Sequence, residues 1–171
     1  MGREIRRVPL DFQHPKYTEE DSPRGRDWIG HFIPLHNETY KTAIAEWIAN
    51  HNLWEKGEYP KQKTGKYAKG CGSYAEYNGD APEHAGYRPE YTGPATAWCV
   101  YETVSEGTPV TPVFATAQEL IDYLAEHGAT FDDCAWSRAN AERFVNDTGW
   151  APTMVVAGGK VMAGHEYDKG D

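Results

Sequence analysis

The chain has 171 residues and a formal net charge of −9 at pH 7. This length fits one domain, and 39% hydrophobic with 25% charged residues is close to ordinary globular usage, which excludes wholesale disorder. The longest apolar stretches, such as Ala97 to Tyr101, are far shorter than the roughly 20 residues needed to cross a bilayer, so no membrane span is predicted.

The negative charge is concentrated toward the C-terminus. Residues 1–101 carry 13 Lys or Arg against 14 Asp or Glu, whereas residues 102–171 carry 4 against 12. Such a surface repels DNA and RNA and attracts a basic groove on a protein. We therefore expect a partner protein with a basic surface, and no direct binding of duplex DNA.

Residues 1–36 are rich in Pro and Arg and have no sustained helical or strand period, which predicts an extended arm packed onto the domain. The opening MGREIRRVPL lacks the apolar run of a signal peptide, so we expect a cytoplasmic protein. His31 and His36 form the nearest histidine pair. A metal or general-base role for them needs an orienting carboxylate such as Asp27 or Glu38, and the alternative is two loop histidines with ordinary hydrogen bonds.

The first helix is predicted within residues 37–54, beginning near Glu38 with Asn37 as its N-cap and ending at Trp54. Apolar or aromatic residues recur along it at spacings of three and four: Tyr40, Ala43, Ile44, Trp47, Ile48 and His51. Because such stripes usually pack inward, this one predicts a core face, with an aromatic ligand platform as the alternative.

Residues 55–95 contain eleven Gly or Pro residues and are predicted to be a long loop region. Lysines alternate there with Tyr59 and Tyr67, a pattern that can also hold single-stranded nucleic acid. The lysines are Lys56, Lys61, Lys63, Lys66 and Lys69. A solvated loop tip is the favoured interpretation, because no RRM, KH or zinc-finger pattern accompanies the lysines.

Residues 96–171 are predicted to form a compact acidic unit of strand, helix, helix and hairpin. The strand TAWCVYETV begins at Thr96 and alternates Trp98 and Val100 with Ala97, Cys99 and Tyr101. One helix opens with a capping box at Thr116 and Glu119 and ends at Gly128; a second begins after Ser137 and runs to Gly149. Gly158 and Gly159 predict a two-residue hairpin turn.

These elements predict an α+β domain that spans residues 1–171. A small, mainly antiparallel sheet of about three strands, which includes the hairpin, has two to three helices on one face. The N-terminal and central regions are irregular.

No catalytic motif is present. Ser105 lacks the surrounding G-x-S-x-G pattern, and no Gly-rich phosphate loop occurs. Cys71, Cys99 and Cys134 are an odd, widely spaced set, which argues against a disulfide framework. No CxxC or HxxxH pair supports a zinc site of His84 with two of these thiols. We predict no metal, no cofactor and no catalytic residues.

Carboxylates of the acidic region fall on one side of the Thr116 helix, opposite Leu120, Ile121 and Leu124. We predict that they and their neighbours bind a partner: Glu119, Asp122, Glu126, Asp132, Asp133 and Glu142. Electrostatic complementarity would speed such an encounter and make it salt-dependent.

The segments MGREIRRVPLDFQHP, HFIPLH, YETVSEGTPVTPVFATAQELIDYLAEHG and GWAPTMVV resemble a family of small uncharacterised proteins of tailed bacteriophages and prophages. The resemblance implies a phage accessory protein acting inside a bacterial cell, and it supplies no catalytic residues. With the charge map, it favours an inhibitor or modulator of a host nucleic-acid-handling or defence protein.

Two alternatives come from other classes. One is a small hydrolase-like enzyme with a pocket under the central loop that uses His36, His51 or Glu102. The other is a virion or assembly component for which the Tyr-rich loop is a packing surface.

Overall fold

The computed structural model describes residues 2–23, 25–103, 107–129 and 134–167. Ser105, Asp132 and Asp133, which were singled out in the sequence, lie outside these residues. The contacts divide the chain into two compact units. Unit 1 comprises residues 1–35 and 91–171, and unit 2 comprises residues 36–90.

Unit 1 is built on a four-stranded antiparallel sheet with the order β3-β2-β1-β4. The strands are β1 (Gly2–Val8), β2 (Ala97–Glu102), β3 (Thr108–Pro109) and β4 (Trp150–Pro152). A separate two-stranded hairpin consists of β5 (Met154–Ala157) and β6 (Lys160–Ala163). The α+β prediction is confirmed. The prediction that the hairpin belongs to the main sheet is wrong, and Trp150–Pro152 pairs with β1 instead.

The N-terminal segment differs from the predicted arm, because residues 2–8 form one of the two central strands. β1 pairs with β2 along its length, from Arg3 opposite Glu102 to Val8 opposite Ala97. Two of its arginines, Arg3 and Arg6, are buried. The usual apolar alternation is therefore missing from this strand, which hides it from pattern analysis.

The two faces of β2 follow the predicted alternation. Val100 and Trp98 pack in the larger core against α3 (Ala117–His127) and α4 (Arg138–Arg143). This core includes Leu120 and Leu124 of α3 and Phe144, which follows α4. The opposite face carries a second cluster of Val8, Ala97, Cys99 and Tyr101, which Phe12, Tyr91 and Val113 cover.

The helix boundaries in unit 1 agree with the sequence signals. Thr116 and Glu119 form the complete capping box of α3, and Gly128 ends the helix at φ 73°. A Cβ at Gly128 would collide with the carbonyl of Cys134, so this position requires glycine. Ser137 caps α4, which continues as a π-helical turn (Phe144–Thr148) up to Gly149 in the left-handed conformation.

Unit 2 contains α1 (Tyr40–Glu55) and α2 (Tyr74–Asn78). α1 begins two residues later than predicted, because Thr39 rather than Asn37 is the N-cap and accepts a hydrogen bond from the Thr42 backbone N–H. The region predicted as continuous loop includes α2 and a short 3-10 turn, Ala68–Gly70.

The core of unit 2 is aromatic. Trp54, Ala68 and Tyr74 are buried, and four partly buried side chains pack on them: Trp47, Tyr59, Cys71 and Tyr77. The predicted core stripe of α1 is wrong for Ile48, which is 49% exposed. Ala43 and Trp54 are the buried residues of this helix, so its inner face is rotated from the predicted one.

Candidate functional site

The predicted partner-binding carboxylates that the structure describes lie on α3 and α4. All of them are exposed: Glu119, Asp122, Glu126 and Glu142. The two helices pack against each other in the larger core of unit 1, which brings Asp122 and Glu142 to a shared surface around Arg138. We refer to these four carboxylates as the acidic face.

Arg138 lies between carboxylates of the two helices. Its Nη2 donates to Asp122 Oδ1 at 2.7 Å, and its Nη1 is 3.9 Å from Glu142 Oε1. Gln118 Nε2 also donates to Asp122, at 3.0 Å. These hydrogen bonds, that of Arg138 first, hold the pKa of Asp122 below its usual range, so this carboxyl stays anionic. The sequence row of acids gave no indication that Arg138 compensates part of their charge.

The other two carboxylates on α3 differ in their surroundings. Glu119 Oε2 accepts a hydrogen bond from the Thr116 backbone N–H at 3.0 Å, so it serves the helix end. Glu126 is near the C-terminal end of α3, and its Oε2 lies 3.7 Å from Nε2 of the exposed His127. Glu126 therefore offers a carboxylate to solvent without a role in capping.

Two arginines of unit 1, Arg3 and Arg6, are buried and make their contacts inside the unit. Arg3 donates from Nε to the carbonyl of Ala129, and its Nη1 is 3.6 Å from Glu102 Oε2. Arg6 donates to Glu4 Oε1 at 2.7 Å and to the carbonyl of Leu35. Burial lowers the pKa of Arg3. With these guanidinium groups buried, the surface of unit 1 is more acidic than its composition alone indicates.

Unit 1 also has a cavity of about 300 Å³ beside the second cluster, lined in part by Leu10, Phe32 and Cys99. His14 and Tyr101 meet in it, with His14 Nδ1 3.0 Å from the Tyr101 hydroxyl and His14 Nε2 2.6 Å from the carbonyl of Ile33. Burial raises the pKa of Cys99 to about 11 and lowers that of His14. A protonated thiol of this kind is a poor nucleophile.

A second cavity in unit 1, of about 330 Å³, lies near the exposed hairpin. Phe144, Trp150 and Tyr167 give it an apolar lining, and His165 stacks on Trp136 at 4.2 Å between ring centroids. The described lining residues of this cavity include no carboxylate that could orient the imidazole of His165.

Unit 2 has a cavity of about 290 Å³ between α1 and α2. Four of its lining residues come from α1 at the spacing of one helical face: Ala43, Glu46, Trp47 and Asn50. α2 contributes Tyr74 and Asn78. The sequence interpretation included Trp47 as a member of the stripe but missed the two polar residues beside it, although their spacing from Ala43 is the signal that would have included them.

The histidines considered for chemistry have ring neighbours. His31 lies against Trp28, His36 stacks on Tyr87 at 4.6 Å, and His51 stacks on Trp47 at 5.0 Å. His36 and His51 are not among the residues that line the unit 2 cavity. Glu102, the carboxylate considered with them, pairs with Arg3 in unit 1.

The lysines of residues 56–69 are all exposed. Of the two tyrosines among them, Tyr67 is 79% exposed and lies 5.8 Å from Lys66 Nζ, whereas Tyr59 packs on the aromatic core. A stacking platform for single-stranded nucleic acid needs successive exposed rings, and this segment presents Tyr67 alone.

Within the described residues, no three His, Cys, Asp or Glu side chains are grouped to hold a metal ion. The helices in these same parts of the chain are too short or too polar to cross a membrane.

Comparison with known proteins identifies no relative. No family model matches the chain, and no curated protein or solved structure is significantly similar to it.

Proposed function

We propose that this protein acts by binding another protein, and that the acidic face on α3 and α4 contacts a basic surface of that partner. The observation that supports the proposal is the exposure of all four carboxylates on two helices that share one core. A rigid backbone holds the charges at fixed spacing, so a complementary set of Lys or Arg would meet them without reorganisation.

The charge distribution supports the same proposal. Unit 1 carries 10 Lys or Arg against 18 Asp or Glu, whereas unit 2 carries 7 against 8. Since Arg3 and Arg6 are buried, the exposed surface of unit 1 attracts cations over distances up to about a Debye length, roughly 8–10 Å at physiological salt. The pairing of Arg138 with Asp122 and Glu142 also leaves a guanidinium that a partner carboxylate can contact.

The setting we propose is that of an accessory protein of a tailed phage or prophage in the cytoplasm of its bacterial host. The partner class is a host nucleic-acid-handling or defence protein, because its basic groove normally accepts a polyanion. The resemblance of the N-terminal and C-terminal segments to phage proteins supports the setting, and the acidic face supports the partner class.

The test is a pull-down from host lysate at increasing salt, followed by identification of the retained protein and direct titration with the purified partner. A variant with Asp122→Asn, Glu126→Gln and Glu142→Gln should bind at least about threefold more weakly, because three exposed charge pairs with the partner are lost and each contributes modestly. Glu119 is left intact because its carboxylate caps α3.

A variant of unit 2 with the same change in net charge is the matched control: Glu58→Gln, Asp80→Asn and Glu83→Gln. These residues are exposed and lie outside α3 and α4. The control should bind as the parent does. Equal losses in the two variants would mean that only net charge matters, and undiminished binding by the acidic-face variant would refute the proposal.

A further inference from the structure

The cavity of unit 2 differs from the acidic face in the chemistry of its side chains. Its lining combines four aromatic rings with two carboxylates and two amides: Trp47, Tyr59, Tyr74, Tyr87, Glu38, Glu46, Asn50 and Asn78. No Lys or Arg is among the lining residues. Rings with negative faces beside uncompensated carboxylates favour a positively charged guest.

The rings are held in place by their neighbours. Trp47 Nε1 donates to the carbonyl of Gly79 at 3.1 Å, and the ring stacks on His51 at 5.0 Å with 20° between the planes. Tyr74 meets Trp47 and Tyr59 edge to face, at 5.6 and 5.4 Å between centroids. A lining fixed in this way does not lose conformational entropy when a guest enters.

Glu46 is one of the two carboxylates that line the cavity. It is exposed, and it has no hydrogen bond or ion pair within residues 36–90, all of which the structure describes. Burial of the ring is the main cause that raises the pKa of Tyr74, Tyr59 adds to it, and the nearby charge of Glu46 makes the smallest contribution. Glu46 and Trp47 both line the cavity, so a cation held there has a carboxylate and an aromatic ring within the same small volume.

The volume limits the guest. About 290 Å³ is at the lower end of small-molecule sites and suits a group of several heavy atoms rather than a large ligand. The polar Asn50 and Asn78 can bond a hydroxyl or carbonyl attached to the charged group.

We propose that the cavity between α1 and α2 binds a small organic cation, of the ammonium type, between the ring of Trp47 and the carboxylate of Glu46. The site is separate from the acidic face and does not depend on the function proposed for it. The class includes choline-like ligands and the ammonium group of a lysine side chain.

Choline and its neutral isostere 3,3-dimethyl-1-butanol test the charge requirement directly, because they have nearly the same shape. Titration of the full chain, followed by the NMR shift of the Trp47 indole N–H, should give choline an affinity at least about tenfold higher than the isostere. Equal shifts for both would overturn the proposal. Glucose is the third probe, and preferential binding of glucose would replace the cation by a carbohydrate and overturn it as well.

The variants Glu46→Gln and Glu58→Gln make a matched pair, since both remove an exposed carboxylate from unit 2 and only Glu46 lines the cavity. Glu46→Gln should weaken choline about fivefold or more, and Glu58→Gln by less than about twofold. An unchanged indole signal from Trp54 shows in each case that the aromatic core is intact. Equal affinities of the two variants would overturn the role of Glu46.

Discussion

The two units differ in how their cores are made. Unit 1 packs aliphatic side chains such as Val100, Leu120 and Leu124 between a sheet and two helices. Unit 2 packs the rings of Trp54 and Tyr74 with further aromatics from loops. Aliphatic groups need no polar partner once they are buried, whereas phenols and indoles need hydrogen-bond partners. An aromatic core therefore leaves polar, ring-lined space at its border, where unit 2 has its cavity.

The two units also differ in how their charges are distributed. Unit 1 buries arginines on β1 and shows carboxylates at its surface, whereas the charges of unit 2 nearly balance. The proposals for the two units follow this difference: a charged surface of unit 1 for a macromolecule, and a small cavity of unit 2 in which Glu46 lies beside aromatic rings.

The largest expected effect tests the aromatic core. Trp54 is 3% exposed and meets Tyr59, Tyr74 and Tyr77 at 5.3–6.0 Å between ring centroids. Trp54→Ala should lower the free energy of unfolding of unit 2 by about 3–5 kcal/mol, since it removes a large buried ring and leaves a cavity. Hydrogen exchange of the amides of α1 and α2 measures this loss.

Ile48→Ala is the control on the same helix, because Ile48 is about half exposed. It should cost less than about 1 kcal/mol. The reverse order of the two losses would show that the apolar stripe, and not the aromatic cluster, holds α1 in place.

The second prediction concerns Gly107, where unit 1 depends on backbone geometry. Gly107 has φ 103°, and a Cβ there would lie 2.6 Å from Arg6 Nη2 and 2.8 Å from the carbonyl oxygen of Glu102. Gly107→Ala should destabilise the protein by about 2–3 kcal/mol, because it adds steric conflict to a backbone conformation that only glycine adopts readily.

Urea unfolding measures the loss at Gly107, and Gly158→Ala is the comparison variant. Gly158 has φ 56° and open space around it, so only the left-handed backbone is penalised, by roughly 1 kcal/mol. Equal losses at the two positions would mean that Arg6 gives way to the new methyl group.

Much of unit 1 could be predicted because its signals are local. The capping box of Thr116 and Glu119, the hairpin turn at Gly158 and the alternation of β2 each involve neighbours within a few residues. β1 could not be predicted in this way. Arg3 and Arg6 are stabilised by the carbonyls of Ala129 and Leu35, which are distant in sequence and leave no local pattern.

Unit 2 was harder to predict for a related reason. α2 has five residues and follows Gly72, so it is too short for a helical period to show. The inner face of α1 packs on Tyr59 and Tyr74, which lie outside the helix in sequence. An apolar periodicity therefore places Ile48 in the core and passes over the polar Glu46 and Asn50, which line the cavity.

The third prediction is a pH dependence of unit 1. Burial is the main cause that lowers the pKa of His14 from its ordinary value of 6.5, and its ring is bonded to Tyr101 and Ile33. Below that ordinary value the unfolded chain binds a proton that the folded state resists. The contribution of neutral His14 to the free energy of unfolding is therefore fully present above about pH 6.5. It is lost as the pH falls below that value, by at most about 1.4 kcal/mol per pH unit.

His14→Gln removes the titrating group and keeps a donor for the carbonyl of Ile33. Urea unfolding at about pH 7 and about pH 5 should show a smaller loss of stability in the variant than in the parent. An identical loss in both proteins would assign the acid sensitivity to other groups.

The smallest expected difference is that between the N-caps of the two long helices. Thr116 of α3 takes part in a reciprocal box, in which its hydroxyl accepts from Glu119 N at 3.2 Å and Glu119 returns a bond to Thr116 N. Thr39 of α1 accepts from Thr42 N at 3.3 Å, and its partner at the third helical position is a threonine, whose hydroxyl bonds Thr39 Oγ1 and not the backbone. Thr116→Ala should cost about 1–2 kcal/mol and Thr39→Ala about 0.5–1, because Thr116→Ala removes the acceptor of the Glu119 N–H and breaks a reciprocal box, whereas Thr39 belongs to no such box. Thermal unfolding of the two variants beside the parent measures the difference. A larger loss for Thr39→Ala would mean that the N-cap contributes more to the stability of unit 2 than to that of unit 1, which would contradict the prediction.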